Sequence, residues 1–246
     1  MSLVKTLAEQ YTTRLNRTID PVTEVAVCNG ATGVIFNITQ SILNEGDEVV
    51  VFEPAFDIYA AQSAMAGATV RYVPMHMTAS KDGHNEWTYK SEDLRAALNE
   101  NTRMIILNTP HNPTGKVFTR AELLDVCAAL APFPNVVVVA DEVYQHLIFE
   151  GEHHHIAGIK AEEYKHLLPE GVAAVDMYDR TLSVCSSGKT LACTGWKIGW
   201  CVGPAHLISC VTLANSWVTF SVHTPSQIAV GKCLKAIDEV RASSRL

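Results

Sequence analysis

Four polar segments carry most of the side chains that could do chemistry, and each comes directly after an apolar run. The apolar runs are EVVVF (48–52), RMIIL (103–107), VVVVA (136–140) and TLSVC (181–185). In open α/β sheets, ligands bind beyond the carboxyl ends of the strands. An aromatic ring, an amide, a carboxylate with a phenol, and an amine would then line one rim: Phe56, Asn112, Asp141 with Tyr144, and Lys189. The carboxylate, the phenol and the amine are among the groups that proteins use to transfer protons.

Each of these residues also has a simpler interpretation on its own. Asp141 could cap a following helix, since Asp is a favoured N-cap residue. Asn112-Pro113-Thr114-Gly115 is chemically a good turn. Phe56 alone would be a core residue, and Lys189 alone a solvated surface lysine. Their combination at successive strand ends favours a shared site.

A nucleotide-binding P-loop is a second interpretation of two of these segments. VVVVADE (136–142) resembles the strand and carboxylates of a P-loop ATPase, and SGKT (187–190) ends like its phosphate loop. That loop requires G-x-x-x-x-G-K-[ST], and its first glycine would fall at Ser183. The two motifs also occur in reversed order along the chain. The sequence therefore disfavours this class.

The elements that must position these residues alternate between strand and helix. Strands are predicted at Val22–Val27, Glu48–Phe52, Thr69–Val73, Arg103–Leu107, Val136–Ala140, Thr181–Cys185 and Trp200–Gly203. Helices are predicted at residues 3–16, from the NGATG segment (29–33) to about 44, and at 57–66, 91–99 and 120–130, with a Ser-x-Asp cap opening the one at 91.

Apolar strands that alternate with helices are typical of a mostly parallel sheet covered on both faces. We therefore predict an α/β fold, a three-layer α/β/α sandwich, in which residues 1–246 form one domain. The polar segment Met75–Trp87 is predicted to be a surface loop.

Composition and charge argue against several other classes. The chain has 246 residues, 48% of them hydrophobic, so it can bury a sizeable core. Its net charge of −7 disfavours nucleic acid as a partner. Its apolar runs are far shorter than the roughly 20 residues of a membrane span, and its first residues favour an amphipathic helix over a signal peptide. Seven scattered cysteines without a C-x-x-C pair indicate reduced thiols, and we expect a cytoplasmic protein.

Five segments of the chain together resemble one enzyme family. They are CNGATGVI, NEGDEVVVFEPAFDIY, LNTPHNPTGKVF, DEVYQHLIFEG and SSGKTLACTGWKIGWCVGP. In colinear order over essentially the whole chain, they are similar to class I aminotransferases of fold type I. The branch is that of kynurenine aminotransferases and glutamine transaminase K, which are also cysteine-conjugate β-lyases. The family's S-x-x-K-T-x-x-x-T-G-W-[KR] motif is present from Ser186 to Lys197, and its final Lys favours this branch.

The resemblance implies pyridoxal 5′-phosphate as the cofactor and Lys189 as its attachment point. Lys189 would form a Schiff base with the cofactor and then move the proton between the substrate Cα and the cofactor C4′. Burial beside a cationic cofactor would lower the lysine pKa enough for this role. Asp141 would pair with the protonated pyridine nitrogen. Lys189, Asp141 and Tyr144 are therefore the expected catalytic residues.

The resemblance also implies contacts to the rest of the cofactor ring. Asn112 and Tyr144 would hydrogen-bond its phenolic oxygen, and Phe56 would stack on its face. Asn112 is also expected to contact the substrate.

The cofactor phosphate would lie at the amino end of the helix that opens within NGATG. By the resemblance, the backbone amides of Ala31 and Thr32 contact it there, and Ser186 and Lys197 close on it from the other side. Gly30 and Gly33 (in NGATG) would permit close approach of the backbone, or would simply form a turn.

The chain departs from the family at both ends. The family's substrate-clamping arginine lies in a C-terminal small domain, and neither Arg241 nor Arg245, in the final RASSRL (241–246), matches its motif. The N-terminal arm is also expected to be absent, so that residues 1–246 are the large domain only.

Three functions consequently remain open. The first is transamination of an amino acid (kynurenine, glutamine, or an aromatic or sulfur amino acid) to a 2-oxo acid. The second is a cysteine-S-conjugate β-lyase, and the third is a truncated, non-catalytic remnant that binds the cofactor. The resemblance implies a homodimer, with Trp217 and Phe220 at its interface or, alternatively, packed in the core.

Two histidine features have competing interpretations. His153-His154-His155 could bind a metal, but three consecutive residues cannot all face one ion, so a surface loop is predicted. His111 is expected to be a positioned loop residue, because the lysine already supplies the base.

Overall fold

The computed structural model describes residues 2–79 and 85–237. Within these residues the strands are β1 (Val25–Asn29), β2 (Glu48–Glu53), β3 (Thr69–Ala79), β4 (Asn85–Tyr89), β5 (Thr102–Asn108), β6 (Val137–Asp141), β7 (Thr181–Ser186) and β8 (Ile198–Val202). The α-helices are α1 (Ser2–Leu15), α2 (Gly30–Ile42), α3 (Ile58–Met65), α4 (Ser91–Ala97), α5 (Arg120–Leu130), α6 (Ala161–Tyr164), α7 (Ser187–Thr190), α8 (Ala205–Val218) and α9 (Thr224–Lys235).

The strands form one mixed sheet in the order β1-β8-β7-β6-β5-β2-β3-β4. The five central strands, β7, β6, β5, β2 and β3, run parallel. The partners toward each edge, β8 and β4, run antiparallel to their neighbours. β1 is antiparallel to β8 in turn, so it runs in the same direction as the central strands. The mostly parallel sheet is as predicted.

Helices cover both faces of the sheet, because the central strands are apolar on both sides. On one face, α2, α3 and α8 pack against alternate residues of the central strands, as Val34, Tyr59 and Ile208 do. On the other, α4 and α5 cover the middle of the sheet, and α1 and α9 cover β1, β7 and β8. This arrangement confirms the α/β class and the three-layer sandwich. Among the described residues, no helix is long and apolar enough to cross a membrane.

The predicted surface loop at Met75–Trp87 is wrong in its described part. β3 continues to Ala79, and β4 pairs with it in antiparallel register from Met75↔Tyr89 to Ala79↔Asn85. Residues 80–84 lie outside the described residues. The segment is polar because the hairpin is largely exposed, and polarity alone did not distinguish an exposed hairpin from a loop.

One predicted strand start and one predicted helix cap also differ from the structure. β1 begins at Val25 and not at Val22, whose side chain is 78% exposed. The Ser-x-Asp cap was wrong, since Lys90 is the N-cap residue of α4 and no side chain caps the helix. The Ser91 hydroxyl donates to Asp125 Oδ2 on α5 at 2.6 Å instead, which ties the two helices together. Two long helices, α8 and α9, lie after the last predicted element.

The direction of the strands brings the candidate residues to one edge. Asp141, Asn108 and Ser186 end the parallel strands β6, β5 and β7. Asn29 ends β1, which runs the same way, and Lys197 directly precedes the antiparallel β8. Carboxyl ends of β1, β5, β6 and β7 therefore meet the start of β8 at one edge.

Gly199 in β8 lets the backbone of this edge pack closely. A Cβ at this position would lie 2.6 Å from Ala31 N and closer still to the carbonyl carbon of Gly30. Gly30 itself has φ +71°, a conformation that glycine adopts readily. The β1–α2 turn can rest on β8 only because residue 199 has no side chain.

Gly199→Ala is expected to lower the free energy of unfolding by about 3 kcal/mol, because the new methyl group would force two backbone segments apart. Urea unfolding followed by circular dichroism measures this. Gly158→Ala is the matched control, since a Cβ there would meet only Leu15 Cδ2, at 3.8 Å. Equal stability of the two variants would contradict the close packing of β8 against this turn.

Candidate active site

A cavity of about 300 Å³ opens at this edge of the sheet. All nine residues that the sequence predicted to bind a cofactor line it: Ala31, Thr32, Phe56, Asn112, Asp141, Tyr144, Ser186, Lys189 and Lys197. They come from six separate stretches of the chain. The structure therefore brings the predicted residues together in one place.

Asp141 lies at the base of the site and is only 3% exposed. Its Oδ2 accepts a hydrogen bond from Tyr59 Oη at 2.7 Å, and its Oδ1 accepts one from the Val143 amide at 3.3 Å. The second bond is the local turn contact that a capping role would give. The first fixes the carboxylate from α3, which a cap alone does not require.

Burial sets the protonation of Asp141. It raises the pKa of the carboxyl to about 6, against the lowering effect of the hydrogen bonds from Tyr59 and the Val143 amide. No Lys, Arg or His among the described residues forms an ion pair with Asp141. A buried carboxylate without a cation favours any ligand that brings positive charge to it.

The loop after β5 is held by side chain to backbone hydrogen bonds. Asn108 Nδ2 donates to the Asp141 carbonyl at 2.9 Å, and its Oδ1 accepts from the Asn112 amide at 2.6 Å. His111 is buried, and its Nδ1 lies 2.9 Å from Thr114 Oγ1. Burial lowers the pKa of His111 to about 4. It is thus a positioned loop residue, as expected, and Asn112 is presented to the cavity.

Lys189 lies on the one-turn helix α7, and its Nζ is 5.3 Å from the centre of the Tyr144 ring. The amine and the phenol are therefore neighbours, as expected. The expected burial of Lys189 is not provided by the described residues, because its side chain is exposed at the rim. Lys189 is exposed because α7 follows the end of β7, where the lysine lies outside the helix-covered faces of the sheet.

The opposite end of the cavity is formed by the start of α2. The helix begins at Gly30, so the amides of Ala31 and Thr32 lie in its first turn. Lys197 packs close to Gly30, and its side chain is exposed. Gly33 has an ordinary φ, and a Cβ there would make ordinary contacts. Of the two glycines singled out in NGATG, only Gly30 therefore has a backbone conformation that favours glycine.

Tyr59 and Asn108 also line the cavity and hydrogen-bond Asp141, and the sequence analysis assigned neither a role. Phe56 is half-buried at the cavity and packs edge-to-face on Tyr59, with ring centroids 5.8 Å apart. Tyr59 follows Phe56 by three residues, a spacing that places both on one side of a helical turn, and that spacing was available in the sequence. Asn108 directly ends the β5 run, whereas Asn112 alone was assigned a role.

Other predictions had mixed outcomes. Trp217 and Phe220 are 83% and 84% exposed, which excludes core packing. Arg241 and Arg245 lie outside the described residues. The predicted surface loop at 153–155 is wrong for His153 and His155, whose side chains are largely buried against Glu142.

Comparison with known proteins defines the class of this fold and site. The family model "Aminotransferase class I and II" matches residues 2–245. The chain belongs to this family, whose members depend on pyridoxal phosphate.

Individual relatives are similar over nearly the whole chain. A kynurenine–oxoglutarate transaminase of Dictyostelium discoideum is 38% identical over 242 residues, which cover 95% of this chain and 52% of that protein. Human kynurenine–oxoglutarate transaminase 1 is 35% identical, over 94% of this chain and 52% of that protein. The structure of N-succinyldiaminopimelate aminotransferase from Mycobacterium tuberculosis matches with a TM-score of 0.86 and 35% identity, covering 99% of this chain and 58% of that one. The chain thus spans about half the length of the curated relatives it matches.

Asp141→Asn is expected to stabilise the chain without cofactor at pH 8. The folded-state pKa of about 6 lies above the ordinary value of 3.8, so ionisation opposes folding. This penalty, about 3 kcal/mol, is fully present above pH 6 and disappears as the pH falls below the ordinary value. Urea unfolding at pH 8 and at pH 5 measures it, with exposed Asp179→Asn as the control. Loss of stability at pH 8 would contradict an unpaired buried carboxylate.

Proposed function

We propose that this chain is the pyridoxal phosphate-binding large domain of an aminotransferase, residues 1–246, that converts an amino acid to a 2-oxo acid. The observation that carries the proposal is the joint placement of Lys189 and the buried, cation-free Asp141 in one cavity. Kynurenine, glutamine, or an aromatic or sulfur amino acid is the proposed amino donor, in line with the kynurenine–oxoglutarate transaminases to which the chain is similar.

The residues present fit this cofactor in charge as well as in type. Asp141 needs a cationic partner, which a protonated pyridine nitrogen would be. The first turn of α2, a helix of 13 residues, offers backbone amides to an anion, and Lys197 and Ser186 line the cavity beside it. Phe56 offers an aromatic face that would pack against a ring. These contacts would hold the cofactor's two ends.

When bound, pyridoxal 5′-phosphate supplies an aldehyde for covalent attachment and a ring that withdraws electrons from the substrate Cα. Lys189 Nζ would hold the cofactor covalently and, once the substrate amine has displaced it, would take the proton from the substrate Cα as a free amine. Tyr144 and Asn112 would hydrogen-bond the phenolic oxygen of the cofactor ring and so fix its orientation. Asn112 would also contact the substrate. Tyr59 would keep Asp141 fixed in position while Asp141 remains ionised.

We further propose a homodimer in the cytoplasm. The two exposed aromatics Trp217 and Phe220 at the end of α8 favour an interface there. All seven cysteines are free thiols in the structure, which suits a reducing compartment.

Lys189→Ala is expected to abolish the visible absorbance band that forms when the purified chain is mixed with pyridoxal 5′-phosphate, because the attaching amine is removed. Absorbance spectroscopy with a cofactor titration measures this. Exposed Lys5→Ala, on α1, is the control and should retain the band. A wild-type chain without a band, or a variant with an unchanged one, would refute Lys189 as the attachment residue.

If the band forms, its response to amino acids separates the remaining functions. Spectral conversion by glutamine or kynurenine, with release of the 2-oxo acid, supports transamination. Pyruvate and ammonia release from a cysteine conjugate would support the β-lyase instead. A stable band with no conversion by any donor would indicate a non-catalytic, cofactor-binding chain.

Lys197→Gln is expected to weaken pyridoxal 5′-phosphate binding by at least about 10-fold, because one charge-assisted contact to the phosphate is lost. Band intensity against cofactor concentration gives the affinity. The same variant should bind pyridoxal, which lacks the phosphate, as the wild type does. An equal loss for both compounds would place Lys197 away from the phosphate.

A further inference from the structure

A second group of polar side chains meets outside the cavity that Lys189 and Asp141 line. It consists of Glu142, His153 and His155, and we refer to it as the His-His-Glu cluster. Glu142 directly follows Asp141 at the end of β6, and the two histidines come from the segment that precedes the next short helical turn. The cluster therefore adjoins the proposed active site along the chain without forming part of its lining.

The donor atoms of the cluster are spaced as metal ligands are. His155 Nδ1 lies 2.9 Å from Glu142 Oε2, and His153 Nε2 lies 3.4 Å from Glu142 Oε1. One ligand atom from each residue can be chosen so that all three lie within 4.8 Å of one another. Tetrahedral zinc, with bonds of about 2.0–2.2 Å, places its ligand atoms about 3.4 Å apart. Small side-chain adjustments would bring the three donors into that geometry.

Several buried polar atoms of the cluster make no hydrogen bond. Glu142 Oε1 and both ring nitrogens of His153 make no hydrogen bond. The Glu142 side chain is fully buried, and that of His153 is 7% exposed. An unsatisfied buried polar group costs about 1–3 kcal/mol, so such groups are normally matched by a water or an ion. The orphaned atoms point to a ligand.

Two of the three consecutive histidines converge on one carboxylate. His153 and His155 both contact Glu142, and His154 is not part of the cluster. Side chains two residues apart can face the same side where the backbone is extended, as it is at His155 (φ −84°, ψ 117°). The three consecutive histidines do not share one ion, but the first and third can.

The donor types of the cluster are those of a metal site. Two imidazoles and one carboxylate form a common ligand set for zinc and other divalent transition metals.

We propose that Glu142, His153 and His155 bind one divalent transition-metal ion, with Zn²⁺ favoured by the ligand set. A water would fill the remaining position. The ion would hold the segment that carries the histidines against the end of β6, beside Tyr11 of α1, whose ring lies 6.3 Å from that of His155. This site is independent of the proposed transaminase function, since none of its residues contacts the cavity.

Metal titration of the full chain, purified without a polyhistidine tag and treated with a chelator, tests the proposal. We expect Co²⁺ to give the visible absorption of a four-coordinate site, one equivalent of Zn²⁺ to displace it, and Zn²⁺ to raise the thermal unfolding midpoint. His153→Gln and His155→Gln should each weaken Zn²⁺ binding by at least about 10-fold. His154→Gln, in the same segment, is the matched control and should bind as the wild type does.

Two results would overturn the proposal. One is a wild-type chain that binds no Zn²⁺ under conditions where it is folded by circular dichroism, which would leave the cluster as a purely structural contact between Glu142 and the two histidines. The other is equal loss of binding in the His153 and His154 variants. Gln is close to His in size and can still hydrogen-bond, so the His153→Gln variant is expected to fold, and circular dichroism checks this.

Discussion

The burial of the Asp141 carboxylate is the constraint on which the proposed chemistry depends. Placing an ionised group at the end of a covered strand costs free energy, which is why the pKa of Asp141 is raised to about 6. The fold provides two hydrogen bonds to this carboxylate and no cation within the described residues. A cationic ring nitrogen would offset that cost, so the same group that destabilises the free chain would bind the cofactor.

The topology of the sheet determines what else surrounds that carboxylate. Parallel strands β5, β6 and β7 present their carboxyl ends at one edge, and β1 joins them because two antiparallel pairings return it to the same direction. The start of α2 thereby lies beside Lys197. Gly199 makes this possible, because a side chain there would collide with the turn.

Asp141 and Glu142 show how consecutive residues of one strand end can serve different sites. Their side chains point to opposite sides of the chain, one into the cavity and the other toward the two histidines. Burial raises the pKa of Asp141, whereas the charge and hydrogen bond of His155 lower the pKa of Glu142. A metal ion at the cluster would stiffen the segment that carries both carboxylates.

Local patterns in the sequence determined the α/β class, the residue types of the site and the order of the elements. This was possible because buried parallel strands are apolar throughout, and because functional residues follow such strands directly. Tertiary structure alone decided several other features. The bond from Tyr59 to Asp141, the pairing of His153 and His155 with Glu142, and the exposure of Lys189 depend on distances between segments far apart in the chain. The polar β3–β4 hairpin was missed for the same reason, since strand pairing depends on a partner and not on the polarity of one segment.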